Sequence, residues 1–252
     1  MTNINNTIDG FQFDGSDPIG EKTLAAISAA DKFNQWMYDT IKPFVKGHVF
    51  EVGSGIGNIS QHFLLNGNPT TLTDLRQTYC DILDQKFRNF PNLKGILKVN
   101  LTHPNFDTEY AHLLGTYDSI VAMNVVEHIE NDSLALHNCY KLLAKGGHVI
   151  ILVPAYQWLY NKFDKGLEHF RRYTKSKLTD IIAKNGFEII HNQYFNFVGI
   201  AGWFVTGSLL KKETIPEGQM GLYNTLVPAI KIIDKVVMNT MGLSTICVGK
   251  KN

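Results

Sequence analysis

The stretch from His48 to Ser60, HVFEVGSGIGNIS, constrains the fold more than any other part of the chain. A short apolar run leads into Glu51, and three glycines follow at alternate positions: Gly53, Gly55 and Gly57. Asn58-Ile59-Ser60-Gln61 then begins a segment able to be helical. Strand, glycine turn and helix in this order open a nucleotide-binding βαβ unit. Glycine takes positive φ without steric cost and lets a ligand approach bare backbone. The helix N-terminus beyond the turn presents unpaired N–H groups to a polar or anionic ligand. In the dinucleotide fingerprint Gly-x-Gly-x-x-Gly the third glycine would occupy the position of Asn58, one residue later than here. Glu51 places a negative charge beside the ligand, which suits an ammonium group better than a pyrophosphate.

The rest of the chain supplies the frame this turn needs. At 252 residues, 44% apolar and 19% charged, it has ample length for one α/β domain with additions. A net charge of +1 argues against a dedicated nucleic-acid binder. Cys80, Cys139 and Cys247 are odd in number and lack metal spacing, which points to reduced thiols and a cytoplasmic setting. The N-terminus has no basic segment followed by an apolar one, so no signal peptide is expected. Residues 1–20 are polar and read as a flexible tail, with one domain over 21–252. Apolar positions from Leu24 to Ile41 predict an amphipathic helix over about Glu21–Phe44, stopped by Pro43.

Later strands are expected at Thr70–Thr73 ending in Asp74, at Gly95–Val99 ending in Asn100, at Tyr117–Met123 and at His148–Pro154. Asp74 lies 21 residues after Gly53, where a doubly wound fold places an acid for the ribose hydroxyls. A helix over Ser133–Leu143 should end at a Lys145-Gly146-Gly147 cap. Thr174 should cap a helix over Lys175–Lys184, followed by a sixth strand at Phe187–His191 and a last one at Ser244–Gly249.

Glu51-Val-Gly53-Ser-Gly55-Ile-Gly57 resembles the E/D-x-G-x-G-x-G signature of class I S-adenosylmethionine methyltransferases. YDSIVAMNVVEHIEN, around Asn124, resembles their fourth motif. The resemblance covers about Val49 to Pro154 plus the final strands. It implies a Rossmann-like α/β sheet of seven strands in the order 3-2-1-4-5-7-6, the last antiparallel, with helices on both faces. It implies S-adenosylmethionine as cofactor, with Glu51, Gly53, Ser54, Gly55, Gly57, Asp74 and Leu75 around its amino acid and ribose. Asn100 and Leu101 would serve its base, and Asn124 and Val125 would also belong to the cofactor site. Members often carry Asp where Asn100 stands, and the Asn100 carbonyl oxygen can still accept from the adenine amino group. The N-terminal helix, with Tyr38, would close over the site.

Substrate contacts are expected from the aromatic, basic segment Ala155–Tyr173, through Tyr156, Trp158, Arg171, Arg172 and Tyr173. It resembles a bacterial branch of the superfamily with a VP…LY…D…H-x-R-R-Y-T pattern, which names no substrate. About fifty residues separate the last two strands, so residues 194–242 form a helical insert. Its first part, Tyr194–Leu210, carries no charge. Its second, Leu222–Met241, places Leu226, Ile230, Ile233, Val237 and Met241 at helical spacing. This reads as a lid for an apolar, amphipathic or lipid-like small molecule, or as a peripheral membrane contact.

Transfer from a sulfonium needs alignment and exclusion of water, and an oxygen or nitrogen acceptor also needs a base, for which His128 and His169 are the candidates. Some related enzymes hold a divalent cation through Glu-x-x-Glu-His. Here Asn124-Val-Val-Glu127-His128 lacks the first carboxylate, and no metal is expected. Two other classes use such a turn: an NAD-dependent oxidoreductase, disfavoured by the glycine phase, and a non-catalytic S-adenosylmethionine-binding module at a membrane.

Overall fold

Four short segments with no exposed face make the centre of the molecule: β1 (Val49–Val52), β2 (Thr70–Asp74), β4 (Tyr117–Met123) and the distal half of β5 (Leu143–Pro154). Strands buried on both faces belong to a parallel sheet covered by helices. With β3 (Leu93–Lys98), β6 (Glu188–Phe195) and β7 (Ser244–Lys250) they form a seven-stranded sheet in the order β3-β2-β1-β4-β5-β7-β6. The first five strands run parallel, and β7 is antiparallel to both β5 and β6. The expected fold class and order are therefore those observed. The computed structural model describes residues 18–210, 212 and 218–252, and the backbone of 7–8 and 11–12, which pair as a two-residue ribbon.

Two apolar cores flank the sheet. One packs Ile120, Val149, Ile151, Leu136, Leu178 and Ile182 beneath it. The other joins Val49, Val121, Ile150 and Ile246 to Trp36, Met37 and Phe195, and to Val227 and Ile230 of the insert.

Several boundaries differ from expectation for identifiable reasons. The N-terminal segment is two helices, α1 (Pro18–Ser28) and α2 (Asp31–Ile41), because Ala30 leaves helical geometry at φ −104, ψ 62. The Asn224 side chain caps α2 by accepting from the backbone N–H groups of Lys32 and Phe33, at 2.8 and 3.1 Å. The expected tail 1–20 falls largely outside the described residues, and α1 begins at Pro18. After α3 (Ser60–Leu65) and α4 (Gln77–Phe87), helix α5 (Asp132–Leu142) passes directly into β5. Lys145-Gly146-Gly147 is thus no helix cap. It is a bulge between the pairs Tyr117–Leu143 and Ser119–His148, with Gly146 at φ 78. Strand β6 runs four residues beyond His191, so Tyr194 and Phe195 pair with Thr245 and Ser244 and do not begin the insert.

The insert consists of α8 (Phe197–Trp203), a π-helical turn at Phe204–Leu209 and α9 (Gln219–Val236); α6 (Lys162–Gly166) and α7 (Lys175–Lys184) precede it. Asp234 anchors it by accepting from the N–H groups of Asn196 and Phe197 at 2.6 and 2.8 Å. The buried stripe of α9 is Val227, Ile230 and Asp234, continued by the half-buried Tyr223 at the preceding turn. The expected packing face was rotated from this one: Leu226, Ile233 and Met241 are exposed, and only Ile230 of that set is buried. No helix among the described residues is long and apolar enough to cross a membrane.

Candidate functional site

The carboxyl ends of β1, β2, β3 and β4 open on a cavity of about 960 Å³, roofed by α1, α2 and the insert. Ligands of open α/β sheets bind at this edge. The glycine turn leaves β1 with Gly53 at φ 62, Gly55 at φ 53 and Gly57 at φ 85. A Cβ on Gly53 would stand 2.6 Å from Val125 Cγ2, and one on Gly57 would stand 2.3 Å from the Phe87 ring. Both conformation and space therefore demand glycine there. The turn is stitched to β2: Ser54 N–H donates to Thr73 O at 2.8 Å, and Thr73 Oγ1 donates to Glu51 O at 2.7 Å.

Glu51 is buried and lines the cavity, its carboxylate accepting from Ser60 Oγ. Burial pushes its pKa up to about 7, against the hydrogen bonds of Ser60 and Ser54, and the neighbouring Asp74 adds to the rise. A folded-state pKa above the unfolded value means stability present below about pH 4 is lost as pH rises through 7. The ligand-free protein should accordingly melt at a lower temperature at pH 7.5 than at pH 5, and Glu51→Gln should flatten that slope in calorimetric scans.

Asp74 takes Gly55 N–H on one oxygen and Arg76 N–H on the other, each at 3.0 Å. Burial raises its pKa, and these two N–H bonds oppose the rise. Asn100 departs from expectation. Its Oδ1 accepts from both the backbone N–H and the hydroxyl of Thr102, each at 2.9 Å. Both lone pairs are engaged, so Asn100 offers the cavity its NH₂ donors and not an acceptor. Ser54, Leu75, Leu101, Asn124 and Val125 also line the cavity, with Asn124 at φ 55. Gly57 lies behind the turn against Phe87 and does not line it.

The floor carries Glu127 and His128, in a short turn after β4, and His169 from the loop after α6. His128 and His169 meet edge to face, 4.6 Å between centroids at 88°. His128 is exposed to the open cavity, and the surrounding protein, with His169 contributing, lowers its pKa. His169 Nδ1 lies 2.9 Å from Asp164 Oδ1, which orients the ring. Asp164 is wholly buried, and Arg172 Nε donates to the same oxygen at 2.7 Å. Burial alone would raise the Asp164 pKa, but the bonds from His169 and Arg172 outweigh it and hold it below the ordinary value. Asp164 also accepts the N–H of Asn161, closing a capping box on α6.

The expected substrate set needs correction. Tyr38 is buried against α3, stacked on His62 at 5.2 Å, and does not reach the cavity. Tyr156 stacks on Tyr194 and on the exposed Trp158, outside it. Arg171 pairs with Asp132 at 2.8 Å, and the Tyr173 hydroxyl donates to the same carboxylate at 2.7 Å. Only Arg172 lines the cavity, and its guanidinium lies 4.6 Å from the Trp203 ring while bonding Asp164. The arginines of the segment are taken by Asp132 and Asp164 and make no anion site. The outer wall is Leu24, Phe33 and Met37 of the N-terminal helices, expected over the site, together with Trp203, Met220 and Tyr223 of the insert, which sequence reasoning missed. The phase of α9, readable only once Asp234 is seen as a cap, was the available signal.

A glycine turn, an acid ending β2 and a polar floor beside them define a nucleotide-cofactor enzyme site on a doubly wound sheet. Residues 28–192 match the profile of a methyltransferase domain, and the chain belongs to that family. Among curated proteins it is similar to a probable polyketide synthase 42 of Dictyostelium discoideum, 23% identical over 145 residues, 49% of this chain. The matched segment spans only 5% of that much longer protein. Among solved structures, a SAM-dependent methyltransferase from Archaeoglobus fulgidus superposes with TM-score 0.59 at 14% identity, covering 88% of this chain and 94% of that one. Phosphoethanolamine N-methyltransferase 2 of Haemonchus contortus, in complex with S-adenosylmethionine, does so with TM-score 0.61 at 13% identity, covering 93% and 58%.

Proposed function

We propose that the protein transfers a methyl group from S-adenosylmethionine to a small acceptor with an apolar body. The carrying observation is that Glu51, Asp74 and Asn100 end three adjacent strands around one cavity whose backbone turn only glycine can make. Glu51 faces the ammonium end of the cofactor, Asp74 accepts from the ribose hydroxyls, and Asn100 donates to a ring nitrogen of the adenine. Leu75, Leu101 and Val125 supply apolar contact. Calorimetry should find saturable binding of S-adenosylmethionine and none of NAD; the reverse result would make this an oxidoreductase.

The acceptor lies between the floor and the wall formed by Phe33, Met37, Trp203 and Tyr223, where apolar contact excludes water from the displacement. An oxygen or nitrogen acceptor loses its proton on the floor that His128 and His169 build. His169→Ala should lower kcat by about 100-fold or more, the usual scale for such a group. Its affinity for S-adenosylmethionine should stay within about threefold of the parent. Equal loss of both would instead mark a structural role. Profiling extracts with isotopically labelled S-adenosylmethionine identifies the acceptor.

The exposed apolar side chains of the insert, among them Leu209, Leu210, Leu222, Leu226 and Val236, favour an acceptor taken from a membrane surface. Co-sedimentation with lipid vesicles, lost in a Leu222→Glu/Leu226→Glu variant, tests this.

A further inference from the structure

We propose that Glu127, His128 and His169 hold a divalent transition-metal ion on the cavity floor, and that this ion binds the acceptor's hydroxyl. The inference rests on the methyltransferase reading of the same cavity. Each of the three residues offers one ligand atom, and these atoms lie within 4.8 Å of one another. Glu127 is 0% exposed, yet neither carboxylate oxygen has a hydrogen-bond partner among the described residues. Buried polar groups are bonded with few exceptions, and a buried carboxylate without a partner calls for a cation.

Arg172 attracts the Glu127 carboxylate from a distance but makes no hydrogen bond to it. Arg172 directs Nε to Asp164 and Nη1 to the Ala155 carbonyl at 3.1 Å. Both histidines are also prepared as ligands. Asp164 holds Nδ1 of His169, which leaves Nε2 as its ligand atom, and the His128 ring meets that of His169 edge to face. Such outer contacts fix ring orientation and tautomer at metal centres. Asp164 is itself locked by Arg172 and Asn161, so the ligand geometry is set by a rigid support.

Two imidazoles and one carboxylate favour zinc, iron or cobalt over calcium or magnesium, which prefer oxygen ligands. Three protein ligands leave coordination positions open toward the cavity, as at catalytic sites. An acceptor hydroxyl coordinated there loses its proton to water. The resulting oxygen donates an electron pair to the methyl carbon, the carbon–sulfur bond breaks, and its pair stays on sulfur to give neutral S-adenosylhomocysteine. In this arrangement His128 and His169 act as ligands, and the ion lowers the hydroxyl's pKa in place of a free base.

The test uses the full-length protein, stripped with chelator and titrated with Co²⁺, Zn²⁺ and Mg²⁺ by calorimetry and, for Co²⁺, by visible absorption. One Co²⁺ or Zn²⁺ per chain is expected, with the d–d absorption of a low-coordinate Co²⁺ site and far weaker Mg²⁺ binding. Glu127→Gln and His169→Ala should each weaken Co²⁺ binding by about 100-fold while S-adenosylmethionine binding, measured on the same samples, shows that each variant is folded. No saturable Co²⁺ binding, or binding unchanged in both variants, overturns the proposal. S-adenosylmethionine binding without metal binding would leave the methyltransferase reading standing and remove only the ion. Metal binding without S-adenosylmethionine binding would do the opposite.

Discussion

Asp74→Ala should raise the dissociation constant for S-adenosylmethionine by about 100-fold. The buried carboxylate ends β2 in the central cleft and accepts from the N–H groups of Gly55 and Arg76, one on each oxygen. Each oxygen retains a lone pair for a ribose hydroxyl. A hydrogen bond to a charged group contributes about 1.5–3 kcal/mol net, so two lost bonds amount to roughly 3 kcal/mol at the lower bound. At about 1.4 kcal/mol per tenfold, this is two orders of magnitude in affinity. Asp74→Asn keeps one acceptor oxygen and should fall between the variant and the parent. A dissociation constant within about threefold of the parent in Asp74→Ala would place the ribose elsewhere. Circular dichroism melting of the same sample separates loss of a ligand contact from loss of the glycine turn's anchor.

Asp164→Ala should lower the melting temperature by about 10 °C. Asp164 and Arg172 are both almost completely buried and share a 2.7 Å charged hydrogen bond. Removing one partner leaves an uncompensated buried charge, a loss of about 3–5 kcal/mol. A domain of this size shifts by roughly 2–4 °C per kcal/mol. The double variant Asp164→Ala/Arg172→Met should recover part of the loss, because it removes both charges and keeps the contact on Trp203. The pH dependence has a definite sign. The Asp164 pKa is lowered by folding, so its contribution is present above the unfolded value of about 4 and is lost as pH falls through the folded one. The parent's melting temperature should drop below pH 4, and the Asp164→Ala variant should lack that component. Equal melting temperatures for parent and variant at pH 7 would contradict the buried pair.

The cofactor half of the site was legible because its signals are local. Gly53 and Gly57 must be glycine for φ and space, and Asp74 must end a strand a fixed distance on. Backbone geometry and short spacing survive in one dimension. The acceptor half was legible only in part. His128 and His169 were recognisable as titratable residues near the right strand ends. Their meeting at 4.6 Å, and the Asp164–Arg172 support behind them, required loops 40 residues apart to be brought together. Tyr38, Trp158 and Arg171 carried the composition of a binding surface, yet their partners His62, Phe204 and Asp132 hold them elsewhere. The phase of α9 failed for a related reason. Asp234 reads as solvent-facing by type but is buried as the cap of α8, which turns the whole helix.

By itself, then, the sequence determined the strands and the glycine turn, because apolar periodicity and backbone sterics are properties of contiguous residues, while the strand order followed from the resemblance to a known family. Only the tertiary structure decided which charged and aromatic side chains face the cavity. A side chain's direction depends on which distant partner satisfies it: Asp132 takes Arg171 away, Asp164 takes Arg172 and His169 in, and Glu127 is left buried with no hydrogen-bond partner among the described residues.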